Sequence, residues 1–69
     1  MPGREFRIQD YPATAQDAYR RACDAQKKIL ENVLRRGDSV VEVTRMGMIK
    51  IQGNGGFQCI TPTGQLTMW

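Results

Sequence analysis

The sequence predicts an α+β fold: one long amphipathic helix packed on a four-stranded antiparallel meander, extended by an N-terminal strand in the order β-α-β-β-β-β. Three observations carry this. Over residues 14–37 the apolar side chains recur at helical spacing. After Gly37 the spacing changes to two. Three breaks in that second half each end in glycine, at Arg45-Met46-Gly47, Gly53-Asn54-Gly55 and Pro62-Thr63-Gly64.

Residues 1–3 read as a frayed end. Residues 5–11 alternate, with Phe6 and Ile8 on one side and Arg7 and Gln9 on the other, as a strand does. Such a strand would join the 39–44 strand in parallel through a right-handed crossover. Asp10-Tyr11-Pro12 turns the chain into the helix, where Thr14 and Asp17 fit a capping box. At 100° per residue Ala15, Ala18, Tyr19, Ala22, Cys23, Ile29, Leu30, Val33 and Leu34 share one half of the wheel. Asp17, Arg20, Arg21, Asp24, Lys27, Lys28, Glu31 and Arg35 share the other, with acid-before-base pairs at Asp17–Arg21, Asp24–Lys28 and Glu31–Arg35. Gly37 stands where a left-handed residue ends a helix, and Arg35 and Arg36 suit the negative end of its dipole. A single helix of about 22 residues would be roughly 33 Å long. Its alanine-rich first half allows close backbone approach, and its branched second half anchors the core.

The three glycine-ended breaks fit three-residue hairpin loops with glycine in the left-handed region. They set a register. Thr44 then faces Met48, Val43 faces Ile49, and Val41 faces Ile51. Ile51 faces Phe57, Ile49 faces Cys59, Cys59 faces Thr67, and Phe57 faces Trp69. Two rows, Val41-Ile51-Phe57-Trp69 and Val43-Ile49-Cys59-Thr67, are expected beneath the helix. Gly53-Asn54-Gly55-Gly56 reads as a hairpin and not as a phosphate cradle, because a strand follows it and not a helix. Gln26, near the centre of the helix's apolar face, reads as a buried glutamine bonded to a strand end.

The 69 residues make one domain, residues 1–69. A chain this short hides only about 60% of its unfolded surface. It wants a staple, a metal or a partner. With no histidine and two cysteines a zinc site does not close, so no metal and no cofactor are expected. Cys23 and Cys59 read as reduced, buried thiols. Neither an 18-residue apolar run nor a signal-peptide pattern is present, so the expectation is a cytoplasmic protein without a membrane partner. Nucleophilic chemistry lacks a histidine base, and Glu5, Asp10, Asp38 and Glu42 are too scattered for paired acid–base work. The chain reads as no enzyme.

Function then rests on surfaces. The register leaves an outer sheet face carrying Thr44, Met48, Ile60 and Leu66 in one row and Met68 beside them. A contiguous apolar patch of that kind is a contact surface for another protein or a second copy. The runner-up is nucleic acid or an acidic surface. The net charge of +3 keeps this open, through Arg35 and Arg36 with Arg45, and through Arg4 with Arg7. A homo-oligomer with an interface ligand pocket is a third reading. In size and architecture the chain is like the small stand-alone inhibitors that phages and mobile elements direct at host defence complexes, anti-CRISPR proteins included. That likeness is one of size and architecture alone.

Overall fold

The computed structural model describes residues 5–54 and 56–69. It is α+β, with two helices over a four-stranded antiparallel sheet. The predicted long helix is two: α1, Ala13–Arg21, and α2, Asp24–Arg35. Ala22 and Cys23 between them are extended. A straight 33 Å helix would overrun a five-residue strand of about 17 Å, whereas a 12-residue helix of about 18 Å matches it. The break lets α1 lie against β1 and α2 against β3. Local chemistry supports it: Arg20 and Arg21 end α1, Asp24 starts α2, and Gln26 Oε1 accepts from the Cys23 backbone N–H at 3.1 Å as half of a capping box. The box predicted at Thr14 and Asp17 is absent. Pro12 caps α1, and Asp17 is held instead by Arg20 at 2.7 Å and Arg21 at 3.2 Å.

No strand precedes α1 among the described residues. Ile8–Asp10 is a short 3-10 turn. Phe6 stacks on Tyr11 at 5.4 Å and tilts against Tyr19 at 5.5 Å. The N-terminal arm therefore packs on the helical layer, where aromatic contacts outweigh pairing at a sheet edge.

The strands are β1 Ser39–Val43, β2 Ile49–Gly53, β3 Gly56–Ile60 and β4 Leu66–Met68, neighbours in that order. Two of the three predicted loops form as expected. Gly47 and Gly64 have φ of 87° and 85°. Thr44 N–H donates to Met48 at 2.8 Å and Thr61 N–H to Gln65 at 2.8 Å. The middle loop differs. Gly53 pairs with Gly56, leaving two residues between them, so Ile49 faces Ile60 and Ile51 faces Gln58. The left-handed conformation falls on Gly56, with φ of 88°, one residue beyond the glycine at which the predicted loop ends. One residue of slip turns every side chain of the following strands to the opposite face. Ile60 thus enters the core, while Phe57, Cys59, Thr67 and Trp69 move to the outer face.

A bulge between Val40 and Glu42 makes a second correction: Val40, not Val41, pairs with Ile51 and is buried, and Val41 is exposed. The core is Ala15, Ala18, Leu30, Val33, Leu34, Val40, Ile49, Ile51 and Ile60. Two devices close it. Asp38 N–H donates to Val33 and Gly37 N–H to Leu34, a left-handed stop at Gly37 that turns α2 into β1. The Asp38 carboxylate occupies the space a side chain at Gly53 would need.

The free β4 end of the sheet as candidate interface

Among the described residues β4 has a neighbour on one side only. Trp69 N–H donates to Phe57 at 3.1 Å and Thr61 N–H to Gln65 at 2.8 Å, with Thr67 opposite Cys59. The odd-numbered residues of β4 therefore turn their backbone groups toward β3. By antiparallel alternation Leu66 and Met68 turn theirs to the free edge. Their side chains lie on the helix-side face in line with Ile60 and Gln58. The helices lie over β1 and β3, so Leu66 is 36% and Met68 77% exposed. On the outer face Trp69 meets Phe57 edge-on at 4.9 Å, and Lys50 Nζ stands 4.6 Å from the Trp69 ring. These two aromatics are 44% and 49% exposed.

The chain segment that forms this end of the sheet is also uncharged, although Lys50 of β2 reaches its outer face at Trp69. Every charged residue of the chain lies at or before Lys50, and residues 51–69 carry none. The opposite edge, β1, carries the bulge and Glu42, devices that discourage strand addition. β4 has neither. The uncharged stretch was visible in the sequence and is the signal that a reading by apolar alternation passes over.

The predicted patch is divided between the two faces. Thr44 and Met48 are neighbours on the outer face, with Thr44 Oγ1 accepting from Met48 N–H at 3.1 Å, and both are half-buried. Ile60 is fully buried beneath the helices. Leu66 and Met68 are exposed on the helix side, joined at the edge by Trp69 and Phe57. The slip in the middle loop is the cause.

The arginines scatter. Arg36 Nε donates to Asp38 Oδ2 at 3.0 Å and Arg36 Nη2 to Gln58 Oε1 at 3.0 Å, so this cation is spent on the α2–β1 corner. Arg35 lies over the Phe6 ring at 5.5 Å. Arg45 follows the far end of β1, about 17 Å of strand from Arg36. It shares with Arg21, Gln26 and Thr44 a cavity of about 130 Å³. Arg7 is exposed, and Arg4 lies outside the described residues. Of the three helical ion pairs only Asp17–Arg21 forms among the described residues. Arg21 and then Arg20 hold the Asp17 carboxyl below its ordinary range. Glu31 instead accepts from the Tyr19 hydroxyl at 2.9 Å, which ties α1 to α2 and raises the Tyr19 pKa.

Both cysteines are free. Cys59 is buried, on the outer face between its cross-strand neighbours Lys50 and Thr67. Cys23 is exposed, contrary to expectation, because the helix break brings it to the surface; its thiol donates to the Pro62 carbonyl at 3.3 Å. Gln26 is the satisfied buried glutamine expected, with Nε2 donating to Gly47 at 2.7 Å and Thr61 at 3.0 Å. Among the described residues no three cysteine or carboxylate side chains gather as metal ligands would, and no helix is long and apolar enough to cross a membrane. No family model, curated protein or solved structure matches the chain.

Proposed function

We propose that this chain is a non-catalytic protein-binding module whose contact surface is the β4 end of the sheet, centred on Leu66, Met68, Trp69 and Phe57. The single observation behind this is the coincidence of an unguarded strand edge with exposed apolar side chains on both of its faces, in an uncharged third of the chain. Interface centres are depleted in charge and enriched in aromatic residues and methionine. Free edges bind by adding a strand, with backbone groups supplying affinity and flanking side chains specificity. A module of this size would act by occluding a site on a larger partner, as an inhibitor or accessory subunit in the manner of small phage-encoded inhibitors, anti-CRISPR proteins among them.

The test is a Met68→Lys variant compared with the unaltered chain in co-purification from candidate hosts and in thermal melting. Met68 is mostly exposed, so the melting temperature should stay within about 2 °C, while association falls at least tenfold. Undiminished association would move the function elsewhere, first to the Arg21–Arg45 cavity.

A further inference from the structure

We infer that the partner of this edge is a second copy of the chain, joined antiparallel β4 to β4 about a two-fold axis through Thr67, so that the two sheets become one of eight strands. This rests on the protein-binding reading above and names the occupant of that surface. The backbone groups available for pairing are those of Leu66 and Met68. A two-fold axis at Thr67 sets Leu66 opposite Met68 of the second copy and Met68 opposite its Leu66. All the outward N–H and C=O groups of Leu66 and Met68 are then matched. Moving the axis by one residue in either direction leaves part of them without partners. The same axis sets the two Leu66 and two Met68 side chains in one apolar seam on the helix side. The surface is thus complementary to itself, as a two-fold interface requires.

Charge favours the same occupant. Two copies of a chain with net charge +3 repel each other wherever their charges meet. The helix-side seam of Leu66 and Met68 lies within residues 51–69, which carry no charge, and Lys50 stands against Trp69 on the other face. A strongly charged partner would find nothing complementary there. Area sets the strength. At roughly 150–250 Å² for a large side chain, the exposures of Phe57, Leu66, Met68 and Trp69 leave on the order of 400 Å² per copy. That is about half of the ~800 Å² a stable complex buries on each side. The dimer is therefore a concentration-dependent one.

Light scattering and sedimentation of the unaltered chain from about 10 μM to 1 mM should show the mass rise from monomer toward dimer, with the rise displaced at least tenfold in concentration by Met68→Lys. Register is read by cross-linking. Thr67→Cys in a background of Cys23→Ser with Cys59→Ala, which removes the native thiol opposite Thr67, places two thiols at a non-hydrogen-bonded pair, where Cα atoms lie about 4.5 Å apart, within disulfide range. Oxidised glutathione should convert most of this variant to a covalent dimer. Ser39→Cys in the same background, exposed on the bulged β1 edge, should cross-link at a tenth of that extent or less. A chain still monomeric at 1 mM overturns the inference, as does equal cross-linking at the two edges. Either result leaves the protein-binding reading intact if Met68→Lys still abolishes capture of a different protein.

Discussion

Gln26 does more to organise this protein than any other single polar side chain. It is buried, yet each end has work. Oε1 accepts from the Cys23 backbone and so starts α2, while Nε2 donates to the carbonyls of Gly47 and Thr61. One side chain therefore joins the helix break to the β1–β2 and β3–β4 loops. Gln26→Met keeps the volume and removes every bond. Leaving part-buried backbone groups unsatisfied costs about 2–3 kcal/mol, to be read as a lower denaturant midpoint at unchanged slope. Gln26→Glu should fare no better, because it sets an oxygen against the two carbonyls. A loss below about 0.5 kcal/mol for Gln26→Met would show that water replaces those bonds without cost.

At the scale of elements, α1 and α2 are separate pieces held in place by Tyr19 and Glu31 across the break. The neutral phenol is the donor, and the bond to the Glu31 carboxylate raises the Tyr19 pKa above its ordinary value near 10. A raised pKa stabilises the fold fully below the unfolded value and loses that contribution as pH rises through the folded one. Tyr19→Phe should therefore cost about 0.5–1 kcal/mol at neutral pH, after allowance for solvent screening. That corresponds to about 3–6 °C in melting temperature for a domain of this size. The gap between variant and parent should hold from pH 6 to 9 and close above about pH 10. A gap that persists at pH 11.5 would mean that Tyr19 contributes ring packing against Phe6 and not its hydroxyl.

For the whole molecule, the layout of charge decides between the competing surfaces. The N-terminal arm, the helical layer, β1, the β1–β2 loop and Lys50 of β2 hold the charges, much of them internally engaged: Asp17 with Arg20 and Arg21, Arg36 with Asp38, Lys27 near the Tyr19 ring and Lys50 near that of Trp69. Arg21 and Arg45 are the cations that line a common cavity. Nucleic-acid binding through two phosphate contacts has a salt slope no steeper than about −2 in log K against log salt. Fluorescence anisotropy with single- and double-stranded DNA should accordingly show weak binding that disappears near 150 mM salt, diminished by Arg21→Ala with Arg45→Ala and little changed by Arg36→Ala. Tight binding at that salt would reverse the order of the two functional readings.

The sequence by itself determined the α+β class, the four-stranded antiparallel sheet, the stop at Gly37, two of the three hairpin loops and the bonded role of Gln26. Each depends on local chemistry: helical spacing, left-handed glycine, a polar group too central to be left without partners. Only the tertiary structure decided the break at Ala22-Cys23, because strand length limits how far a straight helix can run over the sheet. It also decided the helical berth of the N-terminal arm, since Phe6 finds Tyr11, Tyr19 and Arg35 only after folding. The candidate surface was half legible. Leu66 and Met68 were recognised as exposed, but Ile60 was grouped with them and Trp69 and Phe57 were sent inside. A period of two carries no information about which face is which. Side is assigned by the turns, and a difference of one residue between Gly53 and Gly56 exchanged the faces of everything after it.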